Sequence, residues 1–300
     1  MRVDPSYVTN LVSSLNQVQF NTQQLSAELS SGMRVNSLSQ DPLAAGENVT
    51  LLNQMQQDDS FTQSSELVTG QLQVADSALG QVVSQLTQAI TLAAAANNGT
   101  MNASDRKSIA NQIAGIRGEV LTLANSSYQG QYIFAGGKAG STPFSLSTAT
   151  TPATVLYNGD ADVNMLESPN GQRIQLNVPG DQIFAGAGSN NVFAALNDLI
   201  ADYSTDPPNV TQAAADTAAL NSALNYVSEQ RVTIDNSITQ LGAASTAISS
   251  QQTQLAAVQT NLMQADVAQV ATQLSMAQTQ QTALMSVIAQ LGSGSLFDKL

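Results

Sequence analysis

Apolar residues recur along both flanks of the chain at alternating steps of three and four. Near the start, Val8, Leu11, Leu15, Val18, Thr22, Leu25 and Leu29 form one such stripe, interrupted only by Thr22. The spacing predicts an amphipathic helix with a narrow heptad seam. Gly32 stands where such a helix needs a C-terminal cap. A second stripe runs through Val68, Leu72, Ala75, Leu79, Val82, Leu86 and Ala89. Asn97-Asn98-Gly99 then signals a turn, and Ser104 or Asp105 is expected to cap a third helix bearing Ile109, Ile113, Ile116, Val120 and Leu123. So short a connection predicts an antiparallel hairpin of the second and third helices. Towards the other end, Ile234, Ile238, Leu241, Ile248, Leu255 and Leu262 fit one seam, with Ser245, Gln252 and Gln259 as polar gaps. The register then shifts, and Val267, Val270, Leu274, Ala277, Gln281, Leu284, Ile288 and Leu291 make a second seam.

The middle reads differently. Six of the eight prolines lie from Pro143 to Pro208, and eight of the thirteen aromatics lie from Tyr128 to Tyr203. Turn residues and aromatics together predict a small sheet, with strands near 131–135, 153–157, 163–167 and 173–178. Asn158-Gly159-Asp160 and Pro169-Asn170-Gly171 have turn chemistry. A short helix over 191–203 follows, and Asp206-Pro207-Pro208 breaks the chain before the last long helical stretch. The expected architecture is mainly α with a β-rich insertion. Long antiparallel coiled-coil helices come from both termini, with a central helical hairpin and a small β head. The corresponding segments are 1–45 and 255–300 at the ends, 46–128 for the hairpin, 129–205 for the head and 206–254 for the return helix.

Composition narrows the chemistry. The 300 residues contain no His, Cys or Trp, and the only lysines are Lys107, Lys138 and Lys299. This removes imidazole bases, thiol nucleophiles, disulfides and zinc sites with Cys or His ligands. A net charge of −13 opposes a phosphate-binding surface. Only 10% of residues are charged, against roughly 25% in an average soluble protein. No apolar run reaches the roughly 18–20 residues of a membrane span, and the start Met1–Tyr7, followed by mixed polar sequence, is expected to be no signal peptide, for want of an apolar stretch.

The scarcity of charge is sharpest at the ends. Glu28 is the only charged residue from Thr9 to Met33, and Asp266 the only one from Asn236 to Phe297. Solvated coiled coils line the flanks of their seams with Glu and Lys. A helix cannot bury its own stripe, so these seams need a partner. The two ends packed on each other inside one helical globule satisfy that need. The neutral Gln/Ser/Thr faces point instead to termini that become buried among copies of themselves.

Three local patterns invite a chemical reading. Asn158, Asp160, Asp162 and Asn164 alternate like calcium-loop ligands, but no Gly stands at the sixth position and no Glu at the twelfth. A turn with solvated acids is the expectation there. Gly136-Gly137-Lys138 has Ala139 where a phosphate loop needs Ser or Thr. Asp58-Asp59 sits within a helical flank and is expected on a solvated face. No catalytic, metal or cofactor site is predicted. The alternative of another class is a hydrolase or a calcium-binding adhesin built on the middle.

Two motifs carry a resemblance. Leu29-Ser30-Ser31-Gly32-Met33-Arg34-Val35-Asn36-Ser37, with Asp41-Pro42-Leu43-Ala44-Ala45-Gly46, resembles the N-terminal motif of the flagellin family. Ala265-Asp266-Val267-Ala268, Ala271-Thr272-Gln273-Leu274 and Ala277-Gln278 resemble its C-terminal motif. Gly130–Gly136, Asn177–Phe184 and the end Ser295–Leu300 are similar to members that join hook and filament rather than to filament flagellins, which stay as the nearer alternative. The resemblance implies a structural adaptor exported by the flagellar type III apparatus without signal cleavage. Its implied partners are the first hook-associated protein, flagellin, further copies of the chain in a ring, and an export chaperone on the C-terminal segment. It also implies termini that are disordered in the monomer and fold on assembly. The residues expected to form the assembly interface are Leu11, Leu15, Val18, Leu25, Leu29, Val267, Val270, Leu274, Leu284, Ile288 and Leu291. Gly32, Arg34, Asn36, Asp41, Ala44, Gly46 and Asp266 are the motif residues.

Overall fold

A computed structural model describes residues 5–98, 101–186, 188–205, 207 and 209–296, without the side chains of 5, 8, 189 and 291–296. Among the described residues, seven α-helices, one 3-10 turn and six short strands follow one another: α1 (Pro5–Ser31), α2 (Pro42–Ala96), α3 (Ala103–Ala124), β1 (Ser127–Tyr128), β2 (Gln131–Tyr132), β3 (Phe144–Ser147), β4 (Thr154–Tyr157), β5 (Met165–Glu167), β6 (Arg173–Gln175), α4 (Gly180–Phe184), the 3-10 turn (Gly188–Asn190), α5 (Val192–Ser204), α6 (Val210–Met263) and α7 (Val267–Leu296). The chain divides into two compact units, one of residues 58–249 and one of residues 1–57 with 250–300. The long helices α2 and α6 contribute to both. No helix among the described residues is long and apolar enough to cross a membrane.

The unit 58–249 is built on three helices whose stripes meet. All seven apolar positions predicted for α2 are buried, as are Ile109, Ile113, Ile116 and Val120 of α3 and Ile234, Leu241 and Ile248 of α6. Each such Leu, Ile or Val removed from water contributes roughly 1.5–3 kcal/mol. Arg106 of α3 donates from Nε to Ala96 O (2.9 Å) and from Nη2 to Asn98 O (3.0 Å). It thereby satisfies carbonyls left open by the end of α2 and closes the predicted hairpin. Along α6, Arg231 Nε pairs with Asp76 Oδ1 at 2.8 Å and Thr217 Oγ1 accepts from Asn97 Nδ2 at 3.3 Å. Rising numbers on one helix meet falling numbers on the other, so α2 and α6 are antiparallel. The cap of α3 is neither Ser104 nor Asp105. Asn102 Oδ1 accepts from Asp105 N at 2.8 Å, which starts the helix one residue before Ser104.

The expected sheet is instead three separate two-stranded antiparallel hairpins, β1–β2, β3–β4 and β5–β6. Phe144 pairs with Tyr157 and Ser147 with Thr154, so the strand at 154–157 finds its partner before it in the chain, in a segment with no predicted strand. The Asn158–Asp160 segment therefore does not close a hairpin. Asp160 Oδ1 accepts from the Gly137 N–H, and Asp160 N donates to Ala135 O, so this turn clasps the Ala135–Lys138 turn. Pro169-Asn170-Gly171 does close β5–β6: Gly171 N donates to Ser168 O at 2.8 Å, and Gly171 takes φ +85°. Beneath the hairpins, Phe144 lies 5.4 Å from Phe184 and 5.5 Å from Phe193, ring centre to ring centre. α5, capped by Asn191 Oδ1 on Ala194 N, carries Phe193, Leu196, Leu199 and Ile200 into the same core. Buried Arg117 of α3 ties the parts together, donating from Nη1 to Ala153 O (2.6 Å) and to Asn197 Oδ1 of α5. Desolvation lowers its pKa. Asp58, expected on a solvated face, is fully buried, while its neighbour Asp59 is exposed.

Candidate assembly interface

In the unit formed by residues 1–57 and 250–300, the two ends of the chain lie side by side. α1 stops at Ser31 because Gly32 adopts φ +69°, a left-handed conformation that ends a helix and costs a residue without Cβ little. Gly32 N still donates to Glu28 O at 2.8 Å. The extended residues that follow run against the gap between α6 and α7. Met33 bridges Gln264 in antiparallel β fashion. Arg34 N donates to Met263 O at 2.7 Å, and Ala265 N donates to Gly32 O at 2.9 Å. The N-terminal and C-terminal motifs, more than 220 residues apart in sequence, are thus hydrogen-bonded main chain to main chain.

Side chains lock this joint. Arg34 Nη2 donates to Leu262 O at 3.0 Å, and Arg34 Nη1 pairs with Asp41 Oδ2 at 3.1 Å. Asp41 Oδ1 accepts from Ala44 N at 3.0 Å and so caps α2, whose first residue is Pro42. A capping acid followed by Pro is a favoured way to begin a helix. The Ala44 N–H, and after it the Arg34 guanidinium, hold the Asp41 carboxyl below its ordinary pKa. Ala44 itself is buried. Asn36 Nδ2 donates to Met33 O, and Gln40 Oε1 accepts from both Asn36 N and Ser37 N, which folds the loop between α1 and α2 on itself. Asp266 Oδ1 accepts from Ala268 N and Gln269 N and caps α7. Gly46 is exposed, with open space where a side chain would stand.

From the joint, α1 and α7 run antiparallel, since Gly32 meets Ala265 while Leu25 and Asn21 lie beside Gln273, Met276 and Gln280. On α1, Val18 is buried and Leu11, Leu15, Leu25 and Leu29 are half-buried. On α7, Val270 is buried and Leu274, Ala277, Gln281, Leu284 and Ile288 are half-buried. The structure therefore brings these seam residues together. Val267 differs: it is 51% exposed, because α7 starts at this residue and its side chain points off the seam. The side chains of Val8 and Leu291, like all of Phe297–Leu300, lie outside the described residues. The pairing is thin. Among the described side chains, only Val18 and Glu28 of α1 and Val270 of α7 are fully buried.

Much apolar surface is left facing outward. Phe20 is 62% exposed and Met276 66%, and Val12, Met285 and Val287 are exposed too. None of these belongs to the predicted seams, so stripe counting passed over them. Large apolar residues off the seam, in a segment lacking charge, were the available signal. Beside the joint, a groove of about 560 Å³ is walled by Met33, Leu52 and Met263 and by the Gln259–Asn48 hydrogen bond of 3.0 Å. Among the described residues, no group of three or more acidic side chains is placed to hold a metal ion. The arrangement offers a braced joint and a neutral, apolar helical face.

Residues 7–139 match the family profile of the bacterial flagellin N-terminal helical region. The flagellar hook-associated protein 3 of Escherichia coli K12 is 30% identical over 236 residues, 71% of this chain and 72% of that one. Its namesake in Salmonella typhimurium LT2 is 30% identical over 182 residues, 60% of this chain and 56% of that one. The crystal structure of the Legionella pneumophila flagellar hook-associated protein-3 shares the fold. It aligns with a TM-score of 0.64 at 14% identity, over 71% of this chain and 98% of that one.

Proposed function

Because the chain belongs to the flagellar hook-associated protein 3 family, we propose that it is a structural component of the bacterial flagellum, placed at the junction of hook and filament. The observation that carries this reading beyond family membership is the joint between the two motifs. It braces two chain ends whose outward faces are apolar and almost uncharged. A charged, fully covered helix pair would be an ordinary domain part. A half-covered neutral pair is suited to burial among neighbours. Those neighbours are the first hook-associated protein on one side, flagellin on the other, and copies of the chain around a ring.

The same thinness suits passage to that site. Ordering a residue costs roughly 1–2 kcal/mol of backbone entropy, and among the described side chains of 1–45 and 255–300 only Val18, Glu28, Val35, Ala44, Ala265 and Val270 are buried, which offsets little of it. The end segments, about 1–45 and 255–300, are therefore inexpensive to unfold for export through the type III channel. They acquire their full stability only when neighbours cover them, and a chaperone on the C-terminal segment keeps them apart beforehand. The hairpin-and-head part, about 46–254, is the separately folded portion. The protein performs no catalysis in this role, and no cleavable signal is needed.

A gene deletion and one substitution test the reading. A strain without the protein should secrete flagellin that fails to attach. Leu274→Asp, which places a charge in the α1–α7 seam, should be exported at near-normal levels and give the same unattached flagellin. If the deletion strain keeps a complete junction and lacks only filament subunits, the chain is a flagellin. Normal filaments on the Leu274→Asp strain would remove the seam from the argument.

A further inference from the structure

We infer that Asn170 is a site of spontaneous deamidation in the folded protein, and that Asn158 is protected from it. This goes beyond the junction role and does not depend on it. The sequence contains three Asn-Gly pairs, at 98–99, 158–159 and 170–171. In such a pair the glycine amide nitrogen can attack Cγ of the asparagine, because no Cβ blocks its approach. A carbon–nitrogen bond forms, the side-chain carbon–nitrogen bond breaks, and ammonia leaves with the proton from the amide. Water then opens the five-membered imide at either carbonyl. The product is aspartate or isoaspartate, and no electrons change hands. The reaction needs a side chain free to swing and a backbone free to turn.

The structure supplies that freedom at one pair and withholds it at the other. The Asn158-Gly159 pair is held at three points. The Asn158 N–H donates to Pro143 O at 2.7 Å, its Nδ2 donates to Ser145 Oγ at 2.9 Å, and the following Gly159 O accepts from Lys138 Nζ at 3.4 Å. The Tyr157 phenol and the Ala135 carbonyl also crowd Gly159, each standing within 2.8 Å of where a Cβ would be. Asn170 sits at the tip of the β5–β6 hairpin, exposed, with open space around Gly171. Among the described residues nothing bonds its Nδ2. Its Oδ1 accepts from Gln172 N at 3.3 Å, which draws electron density from Cγ and favours attack there. The turn bond from Gly171 N to Ser168 O must open first, at an exposed hairpin end. Gly99 of the third pair lies outside the described residues. An isoaspartate at 170 would lengthen the main chain of the turn by one methylene and add a carboxylate beside the Glu167↔Arg173 pair.

Peptide mass mapping of the full-length protein, aged at neutral and at mildly alkaline pH, tests this. Isoaspartyl methyltransferase labelling reads the second product. In folded protein the Asn170 peptide should gain one mass unit about tenfold faster than the Asn158 peptide or more, as the bonds holding Asn158 imply. It should also acquire the isoaspartyl label. In urea the two rates should converge. Equal rates in the folded state, or an advantage for Asn170 that persists unchanged in urea, would overturn the inference.

Discussion

Asp202 near the end of α5 faces Asp216 of α6 closely enough to hydrogen-bond when one of the two holds a proton. Its Oδ2 is buried with no other partner among the described residues. Burial first, then Asp216 and Asp198, raise the Asp202 pKa from 3.8 to about 7. The folded protein thus keeps a proton that the unfolded chain releases. This contribution to stability is complete below 3.8 and is lost as the pH rises through about 7. Asp202→Asn keeps the shape without the charge. It should be more stable than the parent above neutral pH by about 1 kcal/mol, a gain limited by solvent screening, and should flatten the parent's decline in melting temperature across that window. An unchanged slope would exclude the pair as its source. At the joint, Asp266→Ala should cost about 1 kcal/mol through the lost cap, seen as faster amide exchange at Ala268 and Gln269. Gly180 is held by space: a Cβ there would stand 2.7 Å from both Phe134 O and the Phe144 ring. Gly180→Ala should therefore cost about 1–3 kcal/mol by overpacking, measured by urea denaturation. These residue-scale facts were barely legible beforehand. Asp58 looked solvated because burial of one helix face depends on what lies across from it. The reach of Arg117 to Asn197 spans 80 positions and leaves no trace in either local pattern.

At the scale of elements, the long helices and the places of β2, β4, β5 and β6 could be read, whereas β1, β3 and the pairing of the strands could not. A stripe such as Val68–Ala89 repeats its period many times over, so one error does not hide it. The strands are two to four residues long, too short to show a period of two. α4, with five residues, is below the length of any reliable stripe. The turn at Pro169-Asn170-Gly171 was recognisable because its chemistry is local, whereas the partner of β4 was settled by the aromatic pair Phe144 and Tyr157, 4.9 Å apart. Helices of equal regularity also differ in support. α2 and α3 are covered along their stripes, and α1 and α7 are not. Hydrogen exchange on the full-length protein should show residues 15–25 and 274–288 exchanging well before 72–86 and 109–120. Equal protection of both sets would mean that the end helices need no neighbours.

For the whole molecule, the division at 57/58 and 249/250 falls inside two continuous helices, α2 and α6. No break in composition marks it; the change is in how much of each stripe is covered. Limited proteolysis should remove parts of 1–57 and 250–300 first and leave a resistant product that contains 58–249. First cuts inside the hairpins, with intact ends, would contradict this. The sequence by itself determined the helical flanks, the turn-rich middle and the poverty of charge at both ends, because periodicity and composition are properties of neighbouring residues. It also carried both motifs of the joint, Gly32–Ala44 and Asp266, but not the bonds between them. Only the tertiary structure decided that Arg34 closes on the end of α6, that β4 pairs with β3, and that α1 and α7 half-cover each other. Those outcomes depend on which distant surfaces exclude water together, and no local pattern encodes that choice.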